Sequence, residues 1–391
     1  MTATGKTRAL QALRHEQPDR VPVDFVAVPE IWEELERELH PDARAYEPLA
    51  EWMEPGRAAI LDALKIDYRL LSYDMFCAPP ENLVRSDARV DWWGSANRST
   101  PNRMWRQVGE DGLITDIWGV GARRAKTGFG THENYTAFPL ADAEDVADLK
   151  AHAWPQPDWW DFREVPRVLD LLQQAAGDVS IRYRVGSMFE VAWQLCGMEK
   201  FLMDLYTEPE VPCYIMDRLL EVHLENTRRF LEQARGRVDM IYFYDDVATS
   251  RSLMMAPETW EKMIRPRHQQ IIDVARAFGV KVMMHSDGAV APLIPQWIDM
   301  GIDVLNPVQT DAAGMEPAML KARFGDRLTF HGGVNITQTL PRGTPDEVRA
   351  EVRHLVDTLG HNGGYIMASS HHIQADTPVA NVLAMYEVNL R

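Results

Sequence analysis

Val280-Lys281-Val282-Met283-Met284-His285-Ser286-Asp287-Gly288 is a mostly apolar run that ends on a histidine, a carboxylate and a glycine. A continuous apolar run of this length reads as a strand buried on both faces, the pattern of a parallel sheet. Its polar end then lies at the C-terminal edge of that strand. A second stretch has the same form: Tyr365-Ile366-Met367-Ala368-Ser369-Ser370 leads into His371 and His372. Six similar short runs occur elsewhere, at Arg20–Phe25, Tyr68–Ser72, Ser180–Val185, Met240–Tyr244, Asp303–Asn306 and Leu328–His331. Helical patterns separate most of them, at Glu208–Gln233, Ala256–Phe278, Val290–Met300, Pro317–Phe324 and Pro345–Leu359. Strands alternating with helices imply parallel strands joined by helical crossovers. Eight such units predict an α/β fold, a single (β/α)₈ TIM-type barrel over residues 1–391. An open doubly wound sheet is the runner-up, but no glycine-rich dinucleotide fingerprint follows the first run.

The alternation fails once, over about residues 75–166. Trp92, Trp93, Trp105, Trp118, Trp154, Trp159 and Trp160 fall there. This reads as a Trp-rich insertion after strand 2, irregular or in short antiparallel strands, on the side of the barrel where active sites are built.

The chain has 391 residues, a net charge of -17 and only three cysteines, Cys77, Cys196 and Cys213. The acidic excess argues against nucleic acid and anionic membrane surfaces as partners. Unclustered cysteines give neither a disulfide framework nor a thiolate metal motif, and suit a reducing compartment. No apolar run is long enough to span a membrane, and the N-terminus lacks an apolar signal core. The expectation is a cytoplasmic protein acting on a small molecule.

The strand C-termini collect Asp24, Asp74, Arg184, Tyr244, Asp245, Asp246, His285, Asp287, Asn306, His331, Asn335, His371 and His372. Each alone has a structural reading, as a helix cap, a turn residue or a buried histidine. Together they exceed what a rim requires. His285 and Asp287 are two apart and share a face of an extended strand. With His371 they make a two-histidine, one-carboxylate set. Such a set holds zinc or another divalent ion with positions open for substrate, or serves metal-free acid/base chemistry; spacing favours neither. Arg182 and Arg184 read as an internal ion-pair set or an anion clamp. Strand alternation predicts that only one of His371 and His372 faces the barrel mouth.

In an ordered series the chain resembles the uroporphyrinogen decarboxylase superfamily, which includes cobalamin-dependent methyltransferases. The series is Pro18-Asp19-Arg20-Val21-Pro22-Val23, Tyr244-Asp245-Asp246 with Pro257-Glu258, Pro266-Arg267, His285-Ser286-Asp287-Gly288, Gly332-Gly333-Val334 and His371 through Pro378. The decarboxylases carry Arg-Gln-Ala-Gly-Arg near the first strand. Here Asp24–Glu30 stands in its place, without arginine. Their Asp after strand two and their late histidine are matched by Asp74 and His371. The methyltransferases bind zinc through His-x-Cys-Gly and a later Cys. Here His285 is retained, Asp287 replaces the first Cys and His371 the second, a harder donor set that suits oxygen ligands.

The resemblance thus implies methyl transfer between a small ether or alcohol and a corrinoid carried by a partner protein. His285, Asp287 and His371 would hold zinc or a similar ion. Asp245, Asp246, Tyr244 and Asp74 are the candidate catalytic groups, and Arg184, Asn306, His331 and Trp118 the candidate pocket. His371 is expected to face the site and His372 to pack against the following helix or loop edge. The alternatives are a metal-free decarboxylase of a small or porphyrinogen-like acid, with His371 and Asp74 in the leading roles, and a non-catalytic binding subunit.

Overall fold

The computed structural model describes residues 3–92, 100–128 and 130–387; Trp93 lies outside them. Twelve strands occur among the described residues: β1 (Tyr68–Ser72), β2 (Ala88–Val90), β3 (Gln107–Gly109), β4 (Ile114–Thr115), β5 (Gly121–Thr127), β6 (Gly130–Ala137), β7 (Ser180–Gly186), β8 (Met240–Tyr244), β9 (Lys281–His285), β10 (Val304–Val308), β11 (Thr329–Val334) and β12 (Tyr365–Ser369). β1 and β7 to β12 form one parallel sheet in the order of the chain, and β2 to β6 a separate antiparallel one. Every residue of β10, β11 and β12 is buried, which explains why these strands read as continuous apolar runs.

The parallel ladder has seven strands among the described residues, where eight were expected. The run Arg20–Phe25 makes isolated contacts instead. Val23 bridges Met367 in parallel, and its carbonyl accepts the Asp67 N–H at 3.0 Å; the Asp24 N–H donates to Met367 at 3.0 Å. Pro22 lies within this run and Pro29 follows it, and a proline has no N–H to offer a ladder.

One end of the sheet is plugged. Tyr68, Met240, Met283, Val304 and Ile366, near the strand starts, cluster with Ala9 and Leu13 of the helix Gly5–Leu13. This leaves the C-terminal strand ends as the open side. The helix Glu210–Ala234 matches its predicted span to within two residues, whereas the predicted Ala256–Phe278 is two helices that break at Ile264. Among the described residues no helix is long and apolar enough to cross a membrane.

Between β1 and β7 the antiparallel sheet occupies much of the tryptophan-rich stretch. Trp105, Trp118, Trp154 and Trp160 are buried there, while Trp92 and Trp159 pack partly buried against the core.

Candidate functional site

β9 delivers His285, the turn after it Asp287, and the segment after β12 His371. One donor atom from each lies within 4.8 Å of the others. Asp287 sits between the two rings, with Oδ1 3.8 Å from His285 Nε2 and Oδ2 3.4 Å from His371 Nε2. Asp287 can occupy that position because Gly288 follows it at φ +92, where a Cβ would lie 2.4 Å from the Thr249 carbonyl oxygen. The turn is tied down by the Asp287 N–H, which donates to Asp246 Oδ1 at 2.7 Å. Oδ1 of Asp287 is buried and accepts no hydrogen bond from any described residue. A buried carboxylate oxygen left bare beside two imidazole nitrogens lacks a positive partner. Two histidines and a carboxylate are also a donor set that divalent ions accept. The residues present therefore fit a metal ion.

The tautomer of His285 is set from behind. Its Nδ1 meets Asn306 Oδ1 at 2.5 Å. An amide oxygen only accepts, so Nδ1 carries the proton and Nε2 presents a lone pair to the cluster. The Asn306 amide in turn donates to His331 Nδ1 at 2.5 Å, and His331 Nε2 meets Asp24 Oδ2 at 2.9 Å. Asp24 also takes Arg182 Nη1 at 2.5 Å. Burial alone would raise the Asp24 carboxyl; Arg182 and His331 more than offset this and hold it well below the usual carboxylate range. Burial pushes His331 down, against the pull of Asp24. The chain His285–Asn306–His331–Asp24–Arg182 thus orients one ring nitrogen through buried groups drawn from β10, β11, β7 and the segment that carries Asp24. Asn306 and His331 line the cavity in front of the cluster, as does Arg184; its volume is about 50 Å³.

The remaining candidates divide. Asp246 stays with the cluster, 3.7 Å from His285 Nε2, with its carboxyl pushed up chiefly by burial. Asp245 faces away from the cavity. Its Oδ1 accepts the Ser187 hydroxyl at 2.5 Å and the N–H groups of Met188, Phe189 and Glu190, and its Oδ2 meets His268 Nε2 at 2.7 Å. It is fully buried and holds the start of the helix Phe189–Cys196. Arg184 pairs with Asp74 at 2.6 Å and bonds Ser72 at 2.9 Å, the internal ion pair rather than a free clamp. Asp74, Tyr244 and Trp118 line a neighbouring cavity, not the one before the cluster.

His371 and His372 both line the cluster's cavity, with ring centroids 4.4 Å apart. The expectation that His372 turns outward fails because β12 ends at Ser369, so strand alternation no longer governs the two rings. Burial pushes His372 well down, and the neighbouring His371 adds to this.

Sequence reasoning missed Glu190. Its Oε1 accepts the Asp246 N–H at 3.1 Å, and burial followed by Asp246 and Asp245 pushes its carboxyl well up. The available signal was an acid four residues beyond a strand end, masked by the apolar Met188-Phe189 before it.

The family model described as uroporphyrinogen decarboxylase matches residues 128–389. The chain belongs to the uroporphyrinogen decarboxylase family. A uroporphyrinogen decarboxylase of Psychromonas ingrahamii is 25% identical over 167 residues, 38% of this chain and 45% of that protein. The match thus spans about half the length of that curated relative. The methylated-thiol–coenzyme M methyltransferase of Methanosarcina mazei is 23% identical over 258 residues, 62% of this chain and 65% of that one. A solved methyltransferase from Methanosarcina mazei shares the fold, with a TM-score of 0.64 at 20% identity over 99% of this family member and 98% of that chain.

Proposed function

We propose that this protein is an enzyme that moves a methyl group between a small oxygen-bearing substrate, an ether or alcohol, and a corrinoid carried by a partner protein. His285, Asp287 and His371 would hold a divalent ion, zinc first among candidates. The observation that carries this reading is the bare, buried Oδ1 of Asp287 between two imidazoles, one of them with its tautomer fixed by Asn306. A divalent ion there supplies Lewis-acid polarisation of the substrate oxygen. His285 offers Nε2 because Asn306 holds the opposite nitrogen. Asp246 fixes the turn that carries Asp287. The relative that acts on methylated thiols supports methyl transfer as the class of reaction. We read the 21–28 segment as the eighth stave of a (β/α)₈ barrel and the antiparallel sheet as an insertion after its second strand.

A decarboxylase is the second reading, favoured by the relatives that carry that name. The arginines weigh against a polyacidic substrate. Arg182 and Arg184 line the cavity, but each is already paired, with Asp24 and Asp74. A buried carboxylate without a counter-charge costs several kcal/mol.

The test is methyl transfer to reduced cobalamin from a panel of methyl ethers and methanol, followed by absorbance. His371→Ala should lower the rate by at least ~10²-fold. Conversion of uroporphyrinogen to coproporphyrinogen would overturn the proposal in favour of the second reading.

A further inference from the structure

Beside the histidine cluster lies a second cavity of about 130 Å³. The two share a wall. Arg184 lines the first and its partner Asp74 the second; Tyr242 lines the first and Tyr244, stacked on it at 6.1 Å, the second.

The second cavity is walled by Tyr73, Trp105, Trp118, Tyr135 and Tyr244. These rings are held in place from behind. Tyr73 stands edge-on to the buried His223 at 5.3 Å, and Trp118 lies 5.6 Å from the same ring. Trp105 and Trp118 are buried, whereas Tyr135 is 42% exposed and forms part of the rim. Flat faces set around one void favour a flat guest, because rings pair best offset-stacked or edge-to-face.

The ionic groups around this cavity are matched. Asp74 is paired with Arg184. Arg106 lies 2.6 Å from Glu133, which Arg124 also approaches at 3.7 Å. Asp116 accepts the N–H groups of Trp118 and Val120, and burial pushes its carboxyl up to about 6 against the pull of Arg106. A seat for an anion would leave a free arginine, and a seat for a cation would present an unmatched ionised acid. Among the described lining residues the acid without an arginine beside it is Glu190, its carboxyl pushed well up, first by burial and then by Asp246 and Asp245. With Oε1 on the Asp246 N–H, Glu190 stands between this cavity and the turn that carries Asp287.

We propose that the aromatic cavity seats a neutral aromatic ring bearing an oxygen substituent, an aryl methyl ether or the phenol it leaves, with the Glu190 carboxyl as the hydrogen-bond partner of that oxygen. This narrows the substrate class of the proposed methyl transfer and rests on that reading only for the methyl group. Ring binding itself needs neither metal nor corrinoid.

Calorimetric titration of the purified protein without corrinoid tests it, with 2-methoxyphenol, methoxycyclohexane, 2-methoxyethanol and phenyltrimethylammonium as probes. The methoxyphenol should bind at least ~10-fold tighter than methoxycyclohexane of similar size, the scale of a few ring–ring pairs. Tyr135→Ala, at the half-open rim where folding is not at stake, should weaken it about tenfold. Glu190→Gln, which keeps the shape and a hydrogen-bonding head, should retain more binding than Glu190→Ala. Equal binding of methoxycyclohexane, tighter binding of phenyltrimethylammonium, or indifference to Tyr135→Ala would overturn the assignment. The two proposals fail separately. A protein that binds the phenol but transfers no methyl group loses the proposed function and keeps this inference. A protein that demethylates 2-methoxyethanol without binding the phenol does the reverse.

Discussion

Asp245 and Asp287 follow neighbouring strands, β8 and β9, with the same side chain and opposite surroundings. Asp245 is fully buried, and both its oxygens are engaged, by Ser187, three backbone N–H groups and His268. Asp287 is half-buried, and its Oδ1 accepts nothing from the described residues although two histidines stand beside it. A carboxylate whose acceptor capacity is filled by the scaffold belongs to the scaffold. One that is fixed in position but left bare is available to a ligand.

The largest effect expected from this contrast is on stability. Asp245→Ala strips the start of the helix Phe189–Cys196 of its acceptor and leaves His268 unpaired. It should cost ~3–5 kcal/mol, the scale for breaking a buried charged pair. Asp287→Ala should stay within about 1 kcal/mol of wild type, because it removes no hydrogen bond accepted by that side chain. Urea unfolding of both variants decides the matter; equal losses would break the comparison.

Histidines extend the contrast to pH. His223 is fully buried, and burial pushes it down to about 4. Its unfolded form takes a proton near 6.5, so between about pH 6.5 and 4 the unfolded chain binds more protons. Stability should therefore fall as pH drops through that window, by about 3 kcal/mol for this residue. His331 and His372, also held down, act in the same direction. Urea midpoints measured from pH 7.5 to 4.5 should show the decline, and His223→Gln should flatten it.

A smaller effect separates orientation from packing at Asn306. Asn306→Leu removes the acceptor for His285 Nδ1 and should weaken metal binding 10–100-fold, about what loss of an orienting partner costs. Asn306→Asp keeps that acceptor and should recover most of the affinity, although it no longer donates to His331. If both variants bind metal alike, Asn306 does not orient the ring. His372→Ala should be milder still in metal binding than His371→Ala, because the Nε2 of His371 is the one 3.4 Å from Asp287.

Much of the fold was legible because buried parallel strands carry apolar residues on both faces. Met240–Tyr244 was read to the residue, and β9 falls inside the Val280–Gly288 run. β10 runs on to Val308 through Pro307, beyond the predicted end at Asn306, and the Arg20–Phe25 run bridges instead of pairing. The His285, Asp287 and His371 set was legible from spacing and resemblance. What supports it was not. Asp24 reaches His331 across 307 positions of chain, a closure that no local pattern encodes. Asp245 and Asp246 are adjacent in sequence just past the end of β8, and their side chains take opposite directions. Which of the two turns inward depends on the partner, His268, brought by a later helix.

The most direct test is the metal content of protein purified without chelator, wild type beside Asp287→Ala and Asp245→Asn. The account predicts close to one zinc or similar ion per wild-type chain, loss of it in Asp287→Ala with the fold intact, and retention in the folded fraction of Asp245→Asn. A wild-type protein that stays metal-free when zinc is supplied, or an Asp287→Ala variant that binds the ion as tightly as wild type, would contradict it.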